Sequence, residues 1–312
     1  MKTVKKTANG RVNLIGEHTD YNGGWVLPTA IPQTTTVTLT ARDDMQVIGS
    51  TSADLHGATL TGQYILGQEK PTKTWIDYIQ GGTWLLKKAG HAIEGFDITV
   101  TSTVPTGSGL SSSAALEVSF LKALTELYAL PISETELARI GQQIENEFVG
   151  AKVGIMDQMA CTFANFGQAL FLDTKLLEFR QVELPVDQMD LVVINSGLAH
   201  QNSGGDYNQR RSECEKACEI LGIKELREFS EKDLSKLDIL PDVLKRRSRH
   251  VITENARVHA AVKAIEDKDV ARLGKLFFES HASMRDDFQV SIPEIDQLVE
   301  ICLQDASTLG AR

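Results

Sequence analysis

No apolar run in these 312 residues approaches the roughly 18 that a membrane-crossing helix needs. That speaks against a membrane protein. The opening MKTVKKTANG is basic, but no apolar segment follows it as in a secretory signal. Cysteine is scarce: Cys161, Cys214, Cys218 and Cys302 are scattered without a CxxC pair. Cys214 and Cys218 stand one helical turn apart, a poor disulfide geometry, so the four read as reduced structural thiols of a cytoplasmic protein without zinc. Positive charge is also in deficit, with 32 Lys and Arg against 42 acidic residues and a net charge of -10. Non-specific binding to nucleic acid or an anionic membrane needs a net basic face, and this chain has none on balance. A small anionic ligand remains open, because a local arginine, backbone N–H groups and a metal ion can hold phosphate on an acidic protein.

Internal repeats and low-complexity tracts are missing too. What is present is an ordinary globular composition, 42% hydrophobic and 24% charged, with a length that suits two domains of roughly 150 residues. TTTVTLT (34–40) and FDITVTSTV (96–104) alternate apolar with small polar residues and read as strands. TWIDYIQGGTWLLKKAG (74–90) reads as a helix stopped at Gly90. Ser133-x-x-Glu136 is a capping box, after which Leu137, Ile140, Ile144 and Phe148 recur at helical spacing. Further on, QALFLDT and MDLVVINSG read as strands, the second apolar enough to be buried. Long charged helices follow from residue 206. The basic run LKRRSR (244–249) reads as a solvated helix start. Two mixed α/β domains are expected, with the boundary near 160–185, drawn here as 1–170 and 171–312.

Three stretches carry chemistry. RVNLIGEHTDYNGG (11–24) concentrates Arg11, Asn13, Glu17, His18, Asp20 and Tyr21 in one loop closed by two glycines. A surface turn needs nothing of the kind; a metal site or a structural polar loop are the plainer alternatives to a ligand site. VPTGSGLSSSAALEV (104–118) puts a strand, a glycine-rich turn and a helix N-terminus in succession. The first helical N–H groups lack internal partners and the helix dipole favours an anion there. Serine hydroxyls add donors or a magnesium ligand. The loop has neither the GxxxxGK[ST] lysine nor a GxGxxG fingerprint, and taken alone it could be a tightly packed helix cap. In VGIMDQMA (153–160), Asp157 sits among apolar residues, where an acid either caps a helix or works in a site.

Together these segments resemble the galactokinases, within the GHMP family of small-molecule kinases. The first matches their N-terminal signature, the second their phosphate loop and the third the segment with the catalytic aspartate. NSGLAHQNSGGDYNQRRSECEKA (195–217) is similar to the stretch whose tyrosine reaches the sugar. The resemblance runs from residue 10 to the last residue. It implies an α+β, two-lobed GHMP kinase fold, with a ribosomal-protein-S5-like N-terminal lobe, a ferredoxin-like C-terminal lobe and the active site in the cleft. It implies ATP-dependent phosphorylation of the C1 hydroxyl of galactose by a monomer using Mg²⁺, with no nucleic-acid or membrane partner.

The resemblance also assigns residues. Asp157 would be the base and Arg11 its partner and transition-state stabiliser. Glu17, His18, Asp20, Gly154 and Tyr207 would bind the sugar, Asp20 at the axial O4, with His200 in support. Gly107, Ser108, Gly109, Leu110, Ser111, Ser112, Ser113 and Ala114 would hold the nucleotide phosphates, Trp75 and Tyr78 would pack near adenine, and Ser113 and Glu145 would hold Mg²⁺. The chain stops at ASTLGAR, where the family runs on into a third glycine-rich motif, so an incomplete chain of a longer kinase is expected; as a whole protein it would have an open wall to its active site and an unpaired C-terminal β element. Rival readings are a kinase for N-acetylgalactosamine or arabinose, and a galactose-sensing regulator. The sensors lack the dipeptide that stands here as Ser113-Ala114.

Overall fold

The structure, a computed structural model, describes residues 1–52, 59–198 and 203–312, the last without the side chains of 203–206. The strands and helices run, in chain order, β1 (Thr3–Asn13), β2 (Trp25–Val26), β3 (Pro28–Ala41), β4 (Gln46–Thr51), β5 (Leu60–Ile65), α1 (Ile76–Lys88), β6 (Phe96–Ser102), α2 (Ser112–Leu127), α3 (Glu134–Gln143), α4 (Met156–Phe163), β7 (Gln168–Asp173), β8 (Glu178–Glu183), α5 (Ser203–Leu221), α6 (Asp242–Glu266), α7 (Val270–Ser283) and α8 (Pro293–Gln304). They fall into two compact units. The first holds Met1–Val12 and Ala30–Ala164, the second Asn13–Thr29 and Asn165–Arg312. The polar signature loop is therefore grouped with the second unit, although it precedes most of the first in sequence.

In the first unit β1, β3, β6, β4 and β5 form a mixed sheet. β3 and β6 pair antiparallel, with Val37 opposite Val100 and Leu39 opposite Ile98. β4 lies parallel to β6 and carries β5 as a hairpin partner. Because side chains alternate along a strand, Val37, Leu39, Val47, Phe96, Ile98 and Val100 all point to one face. There they meet Ile79 and Leu86 of α1 and Phe120, Leu121 and Leu124 of α2 in one core. Each of these fully buried large side chains adds roughly 1.5–3 kcal/mol of hydrophobic stabilisation.

The strands expected over 34–40 and 96–104 are β3 and β6, and the helix over 74–90 is α1, after which Gly90 takes the left-handed φ of +87°. Ser133 caps α3 by accepting from the Glu136 amide at 3.2 Å. Leu137, Ile140, Ile144 and Phe148 are all buried, but the helix does not stay α: from Ile144 to Val149 it widens into a π turn. Such widened turns are frequent at functional sites, and this one carries Glu145.

The second unit pairs β7 antiparallel with β2 and β8. Its helices pack through Cys214 and Cys218 of α5 and Val251 of α6, with Leu226 and Phe288, and through Ala217, Leu237, Leu240 and Ile252. The four cysteines form no disulfide. One expectation fails. MDLVVINSG (189–197) forms no strand, and Leu191, Val192, Val193 and Ile194 are 44–73% exposed. A strand exists only where its N–H and C=O groups meet a neighbour's, and among the described residues no strand pairs with this segment. Among the described residues, no helix is long and apolar enough to cross a membrane.

Candidate active site

The first unit gathers one set of the singled-out residues. β1 ends beside the glycine loop, where the Arg11 amide donates to the Leu110 carbonyl at 3.2 Å. The arginine side chain, 11% exposed, then makes three further contacts. Its Nε and Nη2 donate to Asp157 Oδ1 at 2.9 and 2.5 Å, and Nη1 donates to the Gly109 carbonyl at 2.6 Å. Asp157 stands in the first turn of α4 and receives Ser111 Oγ on its other oxygen at 2.6 Å. An arginine, a serine and the phosphate-type loop are thereby tied to one carboxylate that is still 32% exposed.

The loop has the backbone its composition requires. Gly107 and Gly109 take left-handed φ values of +69° and +73°, and Ser111 takes +60° as the cap of α2. A serine costs more than a glycine in that region, and non-glycine residues held there cluster at functional sites. The helix starts at Ser112, two residues ahead of the apolar pattern, and its cap side chain makes no capping hydrogen bond. Ser108 Oγ closes the turn onto the Pro105 carbonyl at 2.7 Å.

Ser113 Oγ, in the first turn of α2, donates to Glu145 Oε1 at 2.9 Å. Burial, with Asp157 nearby, pushes the Glu145 carboxyl up to about 7. Glu117, one turn along α2 and fully buried, is pushed well above the usual carboxylate range by burial first and then by the Glu145 charge. It accepts from Gln158 Nε2 at 3.0 Å. Tyr78 faces this acidic pair, and its hydroxyl is raised by burial first and then by Glu145 and Glu117. Trp75 instead lies over β4 at Gly49, where a side chain would meet its ring at 2.8 Å. Gly154 is buried in the segment leading into α4. Ser113 and Glu145 suit a hard cation: one carboxylate and one hydroxyl match Mg²⁺, which keeps several waters and takes substrate phosphate oxygens rather than a protein cage.

The second unit gathers the other set. Asp20 opens a short 3₁₀ turn, and Glu17 and His18 stand just before it. His18 has a left-handed φ of +60° and its Nδ1 lies 2.9 Å from Tyr21 Oη. Its ring stacks with Tyr207 at 5.4 Å and with Phe288 at 4.7 Å, and Tyr21 meets Tyr207 edge-on at 5.0 Å. Burial lowers the His18 imidazole to about 4, so it is neutral at pH 7. Glu17 Oε2 accepts from Asn13 and Arg312, and the Glu17 carbonyl faces His250 Nε2 at 3.1 Å. His200, expected in support, lies outside the described residues.

Several of these partners escape sequence reasoning. Glu254, which accepts from the Gly16 and Glu17 amides, and His250 and Arg312 all stand more than two hundred residues along the chain from the loop, and no motif marks them. Tyr21 stands inside the signature but was given no task by it. The Ser111 hydroxyl, in the loop expected to hold phosphate, donates to Asp157.

A glycine-rich phosphate-type loop whose arginine and aspartate interlock, on a mixed α+β unit, defines a GHMP-type small-molecule kinase. The GHMP kinases N terminal domain matches residues 77–165, and the galactokinase galactose-binding signature matches residues 6–41. The chain is 43% identical over 310 residues to a galactokinase of Streptomyces coelicolor, covering 98% of this chain and 80% of that one. A galactokinase of Thermotoga neapolitana is 39% identical over 309 residues, covering 99% and 85%. The chain belongs to the galactokinase family. The crystal structure of a Lactococcus lactis galactokinase complexed with galactose superimposes with a TM-score of 0.94 at 33% identity, over 100% of this chain and 82% of that one. The crystal structure of an L. major mevalonate kinase in complex with R-mevalonate shares the fold alone, with a TM-score of 0.63 at 20% identity over 98% and 82% of the two chains.

Proposed function

We propose that this chain transfers the γ-phosphoryl group of ATP to the C1 hydroxyl of galactose, giving galactose 1-phosphate and ADP. The observation that carries the reading is the Arg11–Asp157–Ser111 contact at the glycine loop. Asp157 accepts the proton of the C1 hydroxyl as O1 forms its bond to the γ-phosphorus, and the bond from that phosphorus to the β–γ bridging oxygen breaks. Oδ2 already accepts from Ser111, and a carboxylate oxygen has a second lone pair for the incoming proton. Arg11 fixes the carboxylate through two N–H donors and stabilises charge on the transferring group. Positioning and charge neutralisation are most of what such a transfer needs.

The phosphates are held by the loop from Gly107 to Ala114 and the N-terminus of α2. Ser113 and Glu145 would hold Mg²⁺, which would supply positive charge against the phosphates. Tyr78 lines the nucleotide side, with Trp75, at the start of α1 and over Gly49 of β4, beyond it. Glu17, His18, Asp20, Gly154 and Tyr207 hold the sugar. Several directed polar contacts suit a polyol, because each buried hydroxyl left unpaired costs about 1–3 kcal/mol. The same reading makes the protein a cytoplasmic monomer, in keeping with its four thiols.

ADP release with Mg-ATP, measured against galactose, glucose, N-acetylgalactosamine, arabinose and no sugar, tests the proposal. Release that depends on galactose supports it. Preference for another sugar, or galactose binding without ADP release, refutes it.

A further inference from the structure

The signature loop is held from behind by groups outside it, all within the second unit. Glu254 of α6, fully buried, accepts from the Gly16 and Glu17 amides at 3.0 and 3.3 Å and from Ser280 Oγ at 2.7 Å. That fixes the backbone. The Glu17 side chain is fixed separately: Oε2 accepts from Asn13 Nδ2 at 2.9 Å and from Arg312 Nη2 at 2.7 Å. The guanidinium, 12% exposed, also donates to the Asn13 carbonyl and to Ser280 Oγ, each at 3.3 Å, and its Nη1 stands 3.8 Å from Glu254 Oε1. One planar fork thus reaches Glu17 and the Glu254–Ser280 pair together, which an ammonium on a single point cannot do.

Two glycines bring Arg312 there. A side chain at Gly274 would lie 1.8 Å from the Leu309 carbonyl, and one at Gly310 would lie 2.3 Å from the Gly274 carbonyl. The segment before Arg312 crosses α7 backbone against backbone, at a distance that only two glycines allow. Its register is therefore set, and with it the point from which the arginine reaches.

We infer that Arg312 is a positioning residue for sugar recognition, acting through Glu17 by fixing the orientation in which that carboxylate meets the sugar. The inference rests on the proposed role of Glu17 as a sugar ligand. Preorganising a ligand group improves binding by removing the cost of ordering it. The effect therefore falls on galactose, not on ATP.

The test compares R312M, R312K, E17Q and the E17Q/R312M pair by galactose KM, ATP KM, kcat, calorimetric galactose binding and melting temperature. R312M is expected to raise the galactose KM about tenfold while the ATP KM stays within about twofold, in the range of a lost charge-assisted hydrogen bond. R312K recovers part of the loss. The double variant is no worse than E17Q, because coupled residues are not additive. An E17Q that leaves galactose binding unchanged refutes the reading of Glu17. An E17Q that weakens it beside an R312M that does not, or a double variant whose two effects multiply in full, overturns the inference. Should R312M fail to fold, G274A displaces Leu309 and Gly310 with the arginine retained. It is expected to raise the galactose KM as R312M would, and an unchanged KM in that folded variant overturns the inference equally.

Discussion

A carboxylate that takes a proton during phosphoryl transfer must be held in place without being used up. Asp157 meets this, with one oxygen clamped by Arg11 and the other receiving a single hydroxyl. Asp157→Asn keeps the shape and removes the proposed base, so turnover is expected to vanish while galactose affinity stays within about tenfold. Single-turnover phosphate transfer beside calorimetric sugar binding checks this. His18 gives a second residue-scale expectation. It faces Glu17, His250, Arg210, Arg312, Tyr21 and Tyr207, and burial lowers its folded value from 6.5 to about 4. Between those values the unfolded chain binds the proton and the folded one does not. Stability is therefore full above pH 6.5 and falls as the pH drops toward 4. From pH 7 to 5 the wild type is expected to lose about 2 kcal/mol more than His18→Gln, by urea unfolding. The types in this loop were legible because a polar cluster beside strand-like sequence is costly without a ligand. Their supports were not. Glu254 and Arg312 look like any charged residue of a helix or a terminus until the fold brings them to Gly16 and Glu17.

At the scale of elements, local signals that satisfy backbone groups locally were readable, and signals that need a distant partner were not. Ser133 announces its helix because its own hydroxyl takes the Glu136 amide. Ser133→Ala is expected to cost about 1 kcal/mol with activity retained, read as a lower urea midpoint at unchanged slope. β3 and β6 were equally plain, since alternation marks the face that packs on α1 and α2. The π turn at Ile144–Val149 was not readable, because four apolar residues at spacings of 3, 4 and 4 fit an α-helix as well. Nor could sequence show that the loop 13–29 groups with residues 165–312. The run DLVVIN misled for a related reason. Apolar, β-branched residues state a preference for a strand, but the ladder is supplied by another segment, and propensity says nothing of whether one is there.

For the molecule as a whole, that run is the clearest surface liability. Leu191, Val192, Val193 and Ile194 lie in sequence, exposed, with no strand paired to them among the described residues. Extended apolar segments with open backbone groups invite pairing with another chain. The net charge of -10 opposes that association through repulsion between copies, and salt screens the repulsion over about 10 Å at 0.1 M. The two effects together predict self-association that grows with ionic strength rather than weakening. Light scattering of the chain from about 20 to 500 mM salt should show it. Replacing Val192 and Ile194 with lysine interrupts the run and is expected to suppress the salt-dependent rise, although the substitutions lower the net negative charge. If charge repulsion alone set solubility, the lysine variant would associate more readily than the wild type at low salt. If the exposed run dominates, it associates less at every salt concentration, which is the expected result.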